Sequence, residues 1–324
     1  MPCYSPLSAY KSNPGRSDKT VLVFSRPMSW RAEEVKLPCG QCVGCRLERS
    51  RQWAVRCMHE ASLYDENCFI TLTYDDENIP VGEENCRRCV KEHVIGGSVC
   101  KADFQDFLKR LRKRYGSGIR YYHCGEYGEN FGRPHYHALL FNHDFQDKKF
   151  FSSRGGNTVY TSDSLSDLWP FGFSVVGGVT FESASYVARY VMKKVTGKRA
   201  EEHYGGKTPE YTTMSRGSKK LGTGGIGKAW FERYKGDVYP RDGVVVRGRV
   251  TRPPKYYDDL FGREDPSALA LIKIQREFSG KHFVEDVLSD GTVLRVDDGS
   301  LSRLRVKEVV KLAEIQTLKR PLED

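Results

Sequence analysis

Arg133-Pro134-His135-Tyr136-His137-Ala138-Leu139-Leu140-Phe141 decides the reading of this chain. It reads as a β-strand, and side chains on a strand alternate between its two faces. His135 and His137 therefore share one face, and Tyr136 takes the other. Two imidazoles side by side on a rigid strand suit one metal ion bound through neutral nitrogens. A half-buried strand whose histidines meet only water and neighbours fits the same text, because two ligands do not make a site.

Residues 119–126 read as a second strand, joined to 135–141 by the Gly- and Pro-containing turn 127–134. Pairing across that turn sets Glu126 beside His135 on the same face. A His, His, carboxylate set on paired strands is a divalent-metal site with open positions for a substrate. Glu126 also reads as a surface carboxylate in Gly125-Glu126-Tyr127-Gly128.

Further out, Phe69-Ile70-Thr71-Leu72-Thr73-Tyr74 has the β-branched and aromatic content of a strand. Residues 46–64 carry Leu47, Ala54, Met58 and Ala61 on one helical stripe. Residues 102–115 place Phe104, Phe107, Leu108, Leu111 and Tyr115 on one helix face and basic residues on the other. A short helix near 163–169, a strand near 172–179 and a helix near 182–196 follow. Strands separated by helices around a central hairpin predict an α+β fold, an antiparallel central sheet flanked by helices. Three regions are expected: an N-terminal extension (1–37), the core (38–200) with cysteine-rich segments at 38–45 and 80–100, and a less regular C-terminal accessory region (201–324). That last region is Gly-rich from Gly217 to Gly227, carries Pro253-Pro254, and turns helical near 266–278 and 300–318.

In the helix 182–196, Tyr186 and Tyr190 lie four residues apart, so their hydroxyls project from one face roughly 6 Å apart. Lys193 and Lys194 follow a turn later. A phenol, with a pKa of about 10, is a poor nucleophile at neutral pH. Beside a metal-polarised phosphate and lysines it becomes a usable one. Taken alone, the pair reads equally as packing.

Three motifs carry a family resemblance: Phe69–Tyr74, the His-hydrophobic-His segment Arg133–His137, and Tyr186-Val187-Ala188-Arg189-Tyr190-Val191-Met192-Lys193-Lys194. In that order they resemble the HUH-superfamily rolling-circle replication initiators, most closely those of microviruses of the gokushovirus type. Pro38-Cys39-Gly40-Gln41-Cys42-Val43-Gly44-Cys45-Arg46 and Tyr122-His123-Cys124-Gly125-Glu126-Tyr127-Gly128 are similar to the same phage group. The resemblance covers residues 38–200 well and the rest loosely.

It implies a metal-dependent nicking and joining cycle. One tyrosine attacks an origin phosphodiester, forms a 5′-phosphotyrosine and frees a 3′-hydroxyl. The other attacks the regenerated origin after one round, so that the displaced strand is closed into a circle. Mg²⁺ or Mn²⁺ at Glu126, His135 and His137 would act as a Lewis acid, with Lys193 or Lys194 balancing charge. Origin DNA, single-stranded or supercoiled, is the implied partner, with a host helicase and polymerase. The implied location is the cytoplasm of the bacterial host, as a non-virion protein.

The charge balance agrees with a polyanionic partner. The chain of 324 residues has 52 Lys+Arg against 42 Asp+Glu, a formal net charge of +10. Lys109, Arg110, Arg112, Lys113 and Arg114 cluster on the helix 102–115, as a phosphate track or a solvated face. Tyr121 and Tyr122 suit base stacking or core packing. With no apolar leader and no 18-residue apolar run, no secretion signal or membrane span is expected.

The ten cysteines are bunched. C-x-x-C spacing without a signal peptide favours metal over disulfides. Cys39, Cys42 and Cys45 open a zinc site that Cys86 and Cys89 could complete, so five residues compete for four places. Reduced thiols and an iron–sulfur cluster fit the same spacing. Other readings of the whole chain are a non-catalytic zinc-containing DNA-binding regulator, and an HUH transposase or plasmid initiator, for which one tyrosine usually suffices. A histidine-triad hydrolase would need a third alternating histidine, where Leu139 stands.

Overall fold

The computed structural model describes residues 2–12, 21–25, 33–81, 96–128, 131–193, 195, 197, 199–217, 223–239, 241–280, 283–287 and 292–317. Strands β1 (Leu7–Ser12), β2 (Val21–Val23) and β3 (Glu33–Leu37) precede the long helix α1 (Val43–Ala61). Next come β4 (Asn67–Thr73), α2 (Lys101–Tyr115), β5 (Arg120–Tyr127) and β6 (Pro134–Phe141). They are followed by β7 (Lys148–Arg154), β8 (Asn157–Ser162), α3 (Asp163–Leu168), β9 (Ser174–Gly177) and α4 (Phe181–Lys193). Then come α5 (Arg199–Tyr204), β10 (Tyr211–Met214), α6 (Lys228–Val238), β11 (Val244–Val246), β12 (Arg249–Thr251) and α7 (Lys255–Glu264). The last elements are α8 (Pro266–Ser279), β13 (Phe283–Val287), β14 (Val293–Asp297) and α9 (Leu301–Thr317). The chain divides into two compact units, residues 50–269 and residues 1–49 with 270–318.

The larger unit is built on a seven-stranded antiparallel sheet in the order β10-β5-β6-β4-β9-β8-β7, an α+β architecture. β6 is flanked by β5 and β4 deep in the sheet, which explains why six of its eight residues from Tyr136 onward are buried. The period of two then sorts its side chains into two cores. Tyr136, Ala138 and Leu140 pack with Phe104, Phe107, Leu108 and Leu111 of α2 and Leu165 and Leu168 of α3. Leu139 and Phe141 pack with Ala54, Cys57 and Ala61 of α1 and Ala184, Val187 and Ala188 of α4. Each fully buried Leu or Phe contributes about 1.5–3 kcal/mol, so both faces resist a slip of register. Tyr136 adds direction: its hydroxyl accepts from the Cys100 N–H and donates to the Cys100 carbonyl, both at 2.7 Å, tying the sheet to the start of α2.

In the smaller unit, β1 pairs with β2 and β3 into a three-stranded antiparallel sheet, and β13 pairs with β14. Leu7 stands opposite Leu37, so the chain just before β1 runs beside the chain just after β3. The N-terminal extension is thus a folded element. β7, β8 and β10 also lie outside the strands expected from sequence. They are mixed polar segments at or near sheet edges, with no apolar run to announce them. Among the described residues, no helix is long and apolar enough to cross a membrane.

Candidate functional site

The β5–β6 register places Glu126 directly opposite His135, and Cys124 opposite His137. Glu126, His135 and His137 consequently face the α4 side of the sheet together, and one donor atom of each falls within 4.8 Å of the others. Both imidazoles converge on one carboxylate oxygen: Glu126 Oε1 is 2.8 Å from His135 Nε2 and 2.7 Å from His137 Nε2. Glu126 is only 1% exposed, and its other oxygen is buried without a hydrogen-bond partner. Burial alone would push this carboxyl up, but its contacts with His135 and His137 outweigh that and hold its pKa below the ordinary value.

The outer nitrogens define what the inner ones can do. His135 Nδ1 lies 3.0 Å from the Arg133 carbonyl, which can only accept, so Nδ1 carries the proton. A neutral His135 then turns the lone pair of Nε2 toward Glu126, where two lone pairs would oppose each other. A cation between them, a metal ion or a second ring proton, removes the conflict. His137 Nδ1 lies 2.9 Å from Thr71 Oγ1, on the residue opposite it in β4. Phe69 stacks on the His137 ring at 5.5 Å. Backbone and hydroxyl partners of this kind orient metal-ligating histidines. The convergent nitrogens and the partnerless buried carboxylate oxygen fit a divalent metal.

Tyr186 approaches from α4. Its ring stands edge-on to His137, with centroids 4.9 Å apart, and it is 6% exposed. Tyr190 and Lys193 follow on the same helix; their side chains, and all of Lys194, fall outside the described residues. The predicted phosphate track is largely engaged within the molecule. Arg110 donates to the Leu168 carbonyl and Arg112 to the Ile119 carbonyl, while Lys109 pairs with Asp106 and Arg114 with Asp167. Lys113 is exposed. Tyr122 is a core residue stacked on Trp53 at 4.8 Å, whereas Tyr121 points to the α2 face, edge-on to Phe104.

With this geometry in place, comparison with known proteins locates the chain. Residues 67–195, which span β4 to the end of α4, match the family described as Replication-associated protein ORF2/G2P. Across 99% of both chains it is 31% identical to Replication-associated protein VP4 of Bdellovibrio phage phiMH2K. The chain belongs to the microvirus replication-associated proteins. Replication-associated protein ORF2 of Spiroplasma virus 4 is 36% identical over 86% of each chain. Replication-associated protein ORF4 of Chlamydia phage 1 is 30% identical over 76% of this chain and 57% of that one. No solved structure matches the chain.

This replication-associated protein also carries a four-cysteine group in its smaller unit. The sulfurs of Cys3, Cys39, Cys42 and Cys45 lie within 4.8 Å of one another. Cys3 was not a sequence candidate; the β1–β3 register brings it in. Cys86 and Cys89 lie outside the described residues. Gly44 permits the approach, because a Cβ there would sit 2.2 Å from the Pro2 carbonyl oxygen. Gly40, at φ +75°, turns the chain between Cys39 and Cys42 in a conformation that glycine adopts freely. Backbone N–H groups point at the sulfurs: Cys39 N to Cys3 Sγ at 3.2 Å, Cys42 N to Cys39 Sγ at 3.3 Å and Tyr4 N to Cys42 Sγ at 3.3 Å. Burial works against the Cys42 thiolate, but N–H groups of Cys45 and Tyr4 outweigh it and bring the pKa down to about 7. Four convergent thiols with N–H donors to sulfur fit a tetrahedral metal site.

Proposed function

We propose that this chain initiates phage DNA replication by nicking one strand at the origin through a tyrosine nucleophile, and later rejoins the displaced strand. The observation that carries the reading is the meeting of Glu126, His135 and His137 with Tyr186 on one sheet face. A packing role alone would not require a buried carboxylate with an unpartnered oxygen beside two imidazoles. Mg²⁺ or Mn²⁺ held by Glu126, His135 and His137 would supply Lewis-acid polarisation of the phosphate.

The chain's own groups perform the rest. The Tyr186 phenol oxygen forms a bond to phosphorus as the bond from phosphorus to the 3′-oxygen breaks. The product is a 5′-phosphotyrosine, and the phenol proton ends on the freed 3′-hydroxyl, which serves a host polymerase as primer. One phosphate ester replaces another, so rejoining needs no nucleotide cofactor. Tyr190, one turn along α4, is the second nucleophile, and Lys193 or Lys194 offsets the charge that develops on the phosphate. Arg133 donates to the Tyr74 carbonyl at 2.9 Å and fixes the start of β6, on which both histidines depend. The cysteine group holds zinc in a structural role, folding the N-terminal segment onto the start of α1. The partner is origin DNA, with host helicase and polymerase, in the host cytoplasm.

Incubation of purified protein with labelled single-stranded origin DNA tests this. Wild type with Mn²⁺ or Mg²⁺ should give a site-specific nick and a protein-linked product. His137→Ala should bind the DNA yet not cleave it, because phosphate contacts carry most of the affinity. Normal cleavage by His137→Ala would overturn the metal assignment.

A further inference from the structure

The sheet face turned away from the metal and tyrosine site carries a second recess. It lies between α2 and the β5–β10 edge and has a volume near 940 Å³, ample for a nucleotide. Lys101, Arg112, Arg120 and Arg216 line it, and among the described residues no Asp or Glu does. Arg120 is held by Glu60 and Arg112 by the Ile119 carbonyl, so these two are fixed in place. Lys101 and Arg216 are exposed and stand at the opening, with the Lys101 ammonium 4.7 Å over the Tyr211 ring.

The recess also presents hydrogen-bonding groups that lack partners. His123 is 2% exposed, stacked on Phe104 at 3.5 Å, and held through Nδ1 by Thr213 Oγ1 at 2.7 Å. Its Nε2 is buried and unpartnered, as is the Tyr211 hydroxyl, and both residues line the recess. Buried polar atoms are costly to leave without partners. Cations at the opening, orphan polar atoms within and aromatic faces on the walls are complementary to an anion attached to a planar, hydrogen-bonding ring.

We propose that this recess holds one nucleotide of a DNA single strand, with the phosphate at Lys101 and Arg216 and the base toward Tyr211 and His123. This rests on the reading of the chain as a DNA enzyme and adds a strand-holding site remote from the nick. A duplex is too wide to enter, which selects the unpaired strand. A free nucleotide shares the same chemistry and is separated below.

The test uses the full chain carrying Tyr186→Phe and Tyr190→Phe, so that binding is read without cleavage. A fluorescent strand of about eight nucleotides is titrated by anisotropy at several salt concentrations. Lys101→Glu with Arg216→Glu should weaken binding at least tenfold and reduce the salt slope by about 1.4, at ~0.7 per lost single-strand phosphate contact. The charge-matched pair Lys149→Glu and Arg233→Glu should leave the slope within error. Equal losses in both pairs would show a diffuse field and overturn the proposal. Tight binding of a deoxynucleoside monophosphate that depends on Lys101 and Arg216, without strand binding, would overturn it in favour of a free-nucleotide site. If the slope result holds while wild type forms no tyrosyl product, the recess stands and the nicking reading falls; nicking with an unchanged slope gives the reverse.

Discussion

Glu126 has two imidazoles on one oxygen and nothing on the other, which makes the outer partners of those imidazoles as important as the three ligands. Thr71 is the clearest case, since its hydroxyl is 2.9 Å from His137 Nδ1. Thr71→Val keeps the shape and removes that bond. It should lower Mn²⁺ affinity about 10–100-fold, measured by calorimetry, while leaving the melting temperature nearly unchanged. Unaltered affinity would mean that the ring is oriented by packing on Phe69 alone. The sequence made the histidine pair legible, because alternation on a strand is a local property. Glu126 followed from counting across one short turn. Thr71 was visible only as part of a strand motif, since its pairing with His137 joins segments 66 residues apart.

At the scale of elements, the same contrast explains what the text of the sequence concealed. The apolar faces of β6 and α2 are strongly periodic, so both were readable, and α4 was found from its Tyr-x-x-x-Tyr spacing. β10 has the sequence Tyr-Thr-Thr-Met and forms the sheet edge beside β5. Four residues carry too little pattern to identify, yet β10 builds one wall of the second recess. The cysteine site shows the non-local limit more sharply. Cys39, Cys42 and Cys45 are an evident motif, but Cys3 joins them only because β1 pairs with β3. Cys3→Ser should therefore remove one zinc per chain, read by elemental analysis, and lower the melting temperature by several degrees. Gly44→Ala should act in the same direction through the clash with Pro2. Loss of zinc on changing Cys86 and Cys89, with Cys3→Ser retaining it, would assign the site to the other cysteines.

Over the whole molecule, the buried histidines set a pH limit on stability. Burial lowers the pKa of His59 to about 4 and of His123 to about 3, from 6.5. The unfolded chain thus takes up protons that the folded chain refuses. The stabilisation is present in full above the unfolded value and is lost as pH falls from 6.5 toward those folded values. From pH 7 to pH 5 the loss is roughly 2 kcal/mol for each histidine, and the urea midpoint should drop accordingly. A midpoint constant over that range would show that both rings accept protons in place. The basic balance of +10 predicts a further whole-molecule property, DNA binding that weakens steeply with salt whatever the sequence.

The measurement that bears most directly on the central claim is peptide mapping of the covalent product. Wild-type protein would be incubated with single-stranded origin DNA and Mn²⁺, digested with nuclease and protease, and analysed by mass spectrometry. The account predicts a nucleotide phosphate on the peptide containing Tyr186 and Tyr190, absent with His137→Ala and absent when both tyrosines are phenylalanine. DNA bound but never linked, or linked at a residue outside α4, would contradict it.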